Sequence, residues 1–179
     1  MSHESRPTLY FGVASGGRRR SEIAVANWQD LTKVDATTYT YSLLHSKTEQ
    51  AGPVAGSVPE KPILGDAAKA LADWLSAANI SEGALFRRLW KQRVGEALSP
   101  AAVGEIIQRR SKLAGLTGNF AGHSLRSGFV TEAGRQGISL PDVMAMSGHR
   151  SVSTVMGYFQ TGQVTTNPAA SLLDRSKRK

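Results

Sequence analysis

Cysteine is absent from all 179 residues, which removes disulfides, cysteine-based zinc sites and thiol nucleophiles at once. Long apolar runs are missing too, so no stretch reads as a membrane-spanning helix. The start, Met1-Ser2-His3-Glu4-Ser5-Arg6, lacks an apolar core behind a basic segment and does not read as a secretory signal. No His/Glu pair stands at the helical spacing of a zinc site, and no glycine loop ends in Gly-Lys-Ser/Thr to cradle nucleotide phosphates. Repeats and low-complexity segments do not occur. Acids are sparse: Asp and Glu number 14 against 22 Lys and Arg, a net charge of +8. That imbalance suits a polyanionic partner, most simply nucleic acid. The length suits one domain with a proper core, and an intracellular location follows by default.

Local patterning divides the chain. Thr8 to Ser15 is mildly apolar and fits helix or strand; Gly16-Gly17 breaks it, and Ile23, Ala24 and Ala26 resemble a helix face. Trp28 to Val34, Thr38 to Leu44 and Val54 to Val58 carry β-branched and aromatic residues between turn formers, which predicts a small three-stranded antiparallel sheet. From Leu64 the period becomes helical through Ala67, Ala68, Leu71, Trp74 and Leu75, ending near Asn79. Ala84 to Ala97 mixes Phe86, Leu89 and Trp90 with basic residues and chooses neither state. Ser99-Pro100 starts a helix to about Ala114. Further helices are predicted over His123 to Gly134, from Ser139 to Gly148, from Ser151 to Tyr158, and over Pro168 to Leu173, with Thr161 to Asn167 a loop. The fold class is α+β: mainly helical, with a small three-stranded sheet near the N-terminus.

The chemistry lies late in the chain. His123-Ser124-Leu125-Arg126 puts an imidazole and a guanidinium three residues apart, on one helix face. Gly148-His149 sets a second imidazole just past a helix-ending glycine, and Tyr158 follows nine residues on. Each feature alone has an ordinary explanation: a helix-start His, an exposed Arg, a turn His, a half-buried core Tyr. Together they suit attack on a phosphodiester. Arginines fork onto the non-bridging oxygens, a tyrosine is a competent nucleophile, and imidazoles handle protons. Tyr10, Tyr39 and Tyr41 lack a comparable basic and His context.

His123-Ser124-Leu125-Arg126, Met146-Ser147-Gly148-His149-Arg150-Ser151 and Tyr158, in this order, resemble the catalytic-domain motifs of the tyrosine recombinases, the phage-type integrases. The resemblance spans about residues 8 to 174. It implies an early clamp arginine in Gly17-Arg18-Arg19-Arg20-Ser21-Glu22. Registration on Glu22 selects Arg19, although Arg18 fills a usually apolar place, so Arg18 and Arg20 remain alternatives. Glu22 resembles an acid that orients the basic residues, and Ser46-Lys47-Thr48 resembles the hairpin carrying the lysine general acid.

The implied reaction is site-specific DNA recombination without cofactor or metal. Tyr158 forms a 3′-phosphotyrosyl link, Arg19 and Arg126 hold the phosphate, and Lys47 protonates the leaving 5′ oxygen. His123 exchanges the tyrosine proton and His149 donates to the phosphate. The implied partners are double-stranded DNA and further protomers, four in a synaptic complex, with mostly monomer in the absence of DNA. The implied setting is a bacterial cytoplasm or a phage-encoded gene. Residues 1–174 are expected to form the catalytic domain and 175–179 a disordered basic tail, with the family's N-terminal DNA-gripping domain absent. Two other readings are DNA relaxation like that of type IB topoisomerases, and a DNA-binding module without catalysis.

Overall fold

A computed structural model describes residues 5–43, 60–90, 93–120, 123–165, 167 and 169. The N-terminal segment is helical: α1 (Ser5–Ala14) buries Thr8, Phe11 and Gly12. Gly16 and Gly17 follow at φ +99° and +74°, a left-handed pair that turns the chain into the short α2 (Arg20–Ala24). The sheet order is β1 (Leu31–Lys33), β2 (Thr38–Ser42), β3 (Glu60–Leu64), all antiparallel. Tyr39 and Tyr41 of β2 and Lys61 and Ile63 of β3 point inward, and Tyr41 lies opposite Lys61.

One strand prediction needs correction, and another lies outside the described residues. Trp28–Asp30 forms a 3₁₀ turn rather than strand, because Asn27 accepts a hydrogen bond from the Gln29 amide and starts the turn. Val54 to Val58, the expected third strand, lies outside the described residues; among the described residues Glu60–Leu64 pairs with β2. Its Glu, Lys and Pro hide the strand signal, and Pro62 is tolerated because β3 is a sheet edge.

Helix α3 (Gly65–Ala77) buries Ala68, Leu71, Trp74 and Leu75 at helical spacing, as predicted, and the Trp74 indole donates to the Leu85 carbonyl at 2.7 Å. The ambiguous basic segment is a hairpin of β4 (Arg87–Trp90) and β5 (Arg93–Ala97). Ser99 caps α4 (Pro100–Leu113) through the Ala102 amide, with Pro100 in the first turn. Ser139 likewise caps α6 (Leu140–Ser147), and Gly148 ends it at φ +68°.

Helices α5 (Ser124–Arg135) and α7 (Val152–Gln163) both run past their expected ends. Gly134 lies inside α5, and Gly137 at φ +71° makes the turn after it. Thr161–Gln163, expected as loop, is the last part of α7. The reason is packing. A Cβ at Gly134 would overlap the Phe159 carbonyl, and one at Gly162 would overlap the Thr131 carbonyl. These glycines let the two helix backbones touch. The expected helix at Pro168 to Leu173 lies outside the described residues, Ala169 apart.

Apolar side chains form two clusters. The larger joins α1, α2, the three-stranded sheet, α3 and α4 through Phe11, Ile23, Tyr41, Ile63, Leu71 and Val103. The smaller joins α5, α6 and α7 through Val130, Ala133, Val143, Val155 and Phe159. Among the described residues, no helix is long and apolar enough to cross a membrane.

Candidate active site

Between the two apolar clusters runs a seam of buried polar groups: Arg18, Glu22, Lys61, Arg126 and Ser147. The glycine pair allows the seam to close. A Cβ on Gly17 would stand 2.7 Å from the Arg126 Cα, so only glycine lets the α1–α2 turn meet the first turn of α5 at this distance.

Arg126 is buried on α5. Its Nε donates to His149 Nε2 at 3.1 Å and its Nη1 to the Gly17 carbonyl at 3.5 Å. Burial, then the charges of Arg19 and Arg18, hold it below its ordinary value, to about 10, with Glu22 opposing. It remains a cation at neutral pH.

His149 follows the left-handed Gly148, which turns its ring back toward α5. Its Nδ1 lies 2.7 Å from the Ser147 hydroxyl. A guanidinium N–H only donates, so Nε2 is bare and Nδ1 carries the proton. Burial, then the charges of Arg126, Arg19 and Arg18, push His149 down to about 4. The ring is neutral at physiological pH.

The structure separates the three consecutive arginines. Arg18 is buried, and its Nη2 donates to the Met146 carbonyl at 2.9 Å and the Gly16 carbonyl at 3.4 Å. Arg20 is exposed and lies over Gly104 of α4. Arg19 is partly exposed, and its charge weighs more than that of Arg18 on both Arg126 and His149. Glu22 organises this end of the site. It accepts from the Arg19 amide at 2.9 Å and from Arg19 Nη1 at 2.8 Å, and stands 3.9 Å from Arg18 Nη1. The charge of Glu22 is thereby spent on two arginines.

His123 is exposed at the N-terminal boundary of α5, where its carbonyl accepts from the Arg126 and Ser127 amides. Tyr158 is half-exposed on α7, while its neighbours Val155 and Phe159 are buried. Among the described residues no hydrogen bond joins His123 or Tyr158 to the Arg126–His149 pair. Tyr39 and Tyr41 are buried in the sheet, and Tyr41 is pushed up to about 12, mainly by burial. Tyr10 stacks beneath the Arg6 guanidinium at 5.1 Å. Lys47 lies outside the described residues. Among the described residues, no three His, Asp or Glu side chains gather as they would around a metal ion.

Sequence reading does not single out Ser147, Lys61 or the inward role of Arg18. Ser147 sits within a quoted motif, but nothing local marks its hydroxyl as the partner of His149. Lys61 is hidden because a charged residue on a strand is ordinarily taken to face solvent.

The chain and its fold have relatives. A sequence profile of the phage integrase family matches residues 6–163. An integrase/recombinase xerD homolog of Selenomonas ruminantium is 34% identical over 166 residues, covering 87% of this chain and 47% of that protein. The fold resembles the XerH site-specific recombinase in its post-cleavage complex with palindromic difH substrate (TM-score 0.66, 21% identity, 96% of this chain and 46% of that one). It also resembles lambda integrase, crystallised as a dimer on a COC′ core site (TM-score 0.61, 20% identity, 88% of this chain and 42% of that one). The chain thus spans a little under half the length of each of these proteins. With residues 6–163 of the 179 under one family profile, the chain belongs to the phage integrase family.

Proposed function

We propose that this chain cleaves and rejoins DNA at specific sites through a phosphotyrosyl link on Tyr158. The observation that carries the reading is the pair of cations Arg126 and Arg19 beside the neutral, Ser147-backed His149. Arg126 and His149 partner each other there, and Tyr158 is half-exposed on α7, the helix that packs on α5. Such a set fits a phosphodiester, whose transition state gathers charge on its non-bridging oxygens. The relatives are integrases and recombinases, two of them held on DNA sites, which agrees with this chemistry.

In the proposed step the Tyr158 oxygen attacks phosphorus and the bond to the 5′ oxygen breaks. Lys47 supplies the proton to that leaving oxygen, and His123 receives the tyrosine proton. Arg19 and Arg126 hold the non-bridging oxygens. An arriving phosphate would take over the Arg126 Nε–H, and its negative charge would favour a protonated His149 able to donate from Nε2. Attack by the 5′ hydroxyl of a second strand reverses the step and releases the tyrosine. Double-stranded DNA is the substrate in this reading. Protomers would meet on it, four in a synaptic complex, and stay mostly monomeric without it. The catalytic domain would be residues 1–174.

The test is a nicked duplex carrying the flanks of this protein's own gene, incubated with the chain and quenched in SDS. Mass spectrometry should find a nucleotide on the Tyr158 peptide, and Tyr158→Phe should lack it while still binding the duplex. Binding without any adduct, also when an N-terminal DNA-gripping domain is supplied in trans, would leave a DNA-binding module as the function.

A further inference from the structure

The last four carbonyls of an α-helix lack partners within the helix and carry its negative dipole end. In α6 these belong to Met144, Ala145, Met146 and Ser147. Met144 accepts from the Gly148 amide at 2.8 Å. The next two are taken by buried cations from distant parts of the chain. Lys61 Nζ donates to the Ala145 carbonyl at 2.6 Å, and Arg18 Nη2 to the Met146 carbonyl at 2.9 Å. Lys61 and Arg18 are each only 3% exposed. One comes from the edge strand β3, the other from the turn before α2.

Burying a lysine and an arginine is expensive unless each meets well-placed acceptors, and surface residues could cap a helix end at far lower cost. The position of this helix end explains the arrangement. Immediately beyond the two gripped carbonyls come Ser147, whose hydroxyl holds His149 Nδ1, then the left-handed Gly148, then His149 itself. We propose that Lys61 and Arg18 form a two-cation clasp on the C-terminus of α6, acting as positioning residues that fix the His149 ring against Arg126. The proposal rests on the reading of the site as a phosphodiester-cleaving centre, although its structural half can be tested without DNA.

The clasp gives a role to the buried arginine before Arg19 and to the lysine on the inward face of β3. It grips backbone rather than the ring, so it fixes where the imidazole pivots while leaving both ring nitrogens for Ser147, Arg126 and an incoming phosphate. Neither cation touches the reacting atoms. A purely stabilising cap would leave the ring's environment unchanged once the protein is folded, and this separates the two roles.

The experiment uses the full chain with Lys61→Met, Lys61→Arg and Arg18→Met, each checked for folding by circular dichroism and thermal melting. Histidine ring nitrogens are followed by NMR across pH without DNA, with His149→Asn assigning the signal. In Lys61→Met and in Arg18→Met, His149 should titrate closer to the ordinary 6.5 than the value of about 4 in the parent chain. Lys61→Arg should restore the parent behaviour. On the nicked duplex, single-turnover adduct formation should fall roughly tenfold to a hundredfold in Lys61→Met, the scale of a misplaced catalytic group, with duplex affinity nearly unchanged. Folded Lys61→Met and Arg18→Met proteins with an unmoved His149 titration would overturn the clasp. The charge of Arg18 itself holds His149 down, so Lys61→Met decides, and Lys61→Gln takes its place if that variant does not fold. Parent protein that forms no adduct while the His149 titration moves as expected would overturn the phosphodiester reading and leave the clasp standing.

Discussion

His149 binds its proton on Nδ1 and leaves Nε2 to Arg126, so at this residue folding and protonation are coupled. The folded value, about 4, lies below the 6.5 of the unfolded chain. A histidine held neutral in the native state stabilises fully above 6.5, and the contribution is lost as pH falls from 6.5 toward 4 while the unfolded chain takes up the proton. Below about 4 both states are protonated and no further loss arises from this group. The midpoint of urea unfolding should therefore fall more steeply between pH 6.5 and 4 in the parent chain than in His149→Asn; equal slopes would contradict the assigned neutral ring. Single residues also show what can be read without a structure. His123, Arg126, His149 and Tyr158 announce themselves by order and spacing, because reactive residue types are rare enough for their pattern to carry meaning. Ser147 and Lys61 do not, because serine and lysine are common and their roles here depend on burial and on backbone atoms brought in from far along the chain.

Elements whose ends are set by local chemistry are the readable ones. Ser99 and Ser139 satisfy amides within their own first turns, so their helices can be located from a few letters. Gly134 and Gly162 mislead for the opposite reason. A glycine after a helical run resembles a stop, yet both serve a contact between helices that the local sequence does not contain. The β4–β5 hairpin is opaque for a related reason, since all of β5 is exposed and no apolar alternation marks it. The α5–α7 contact bears on the proposed reaction, because α7 carries Tyr158 and α5 carries Arg126. Gly162→Ala would force the two backbones apart and should destabilise the protein by about 1–3 kcal/mol, the usual range for overpacking. Urea unfolding would measure the loss. In the fraction that stays folded, the Tyr158 adduct on the nicked duplex should form more slowly; an unchanged midpoint would mean that the helices absorb the methyl without moving.

Taken as one body, the molecule is two apolar clusters facing each other across charged and polar groups, with the site on the boundary. The α+β class and the order of most elements follow from periodicity and turn residues. The division of the core does not, because apolar letters look alike whichever cluster they join. Its consequence concerns cooperativity. Hydrogen bonds across a polar boundary, such as those from Lys61 and Arg18, open with less loss of apolar contact than either cluster does, so the smaller cluster can come undone as a unit while the larger stays intact. Native-state hydrogen exchange should show the amides of α6 and α7 sharing one opening free energy below that of α3 and α4, and a single shared value for all four would mean one cooperative whole. A protein built this way would keep a durable frame while the helix that carries Tyr158 comes away and returns without unfolding the rest.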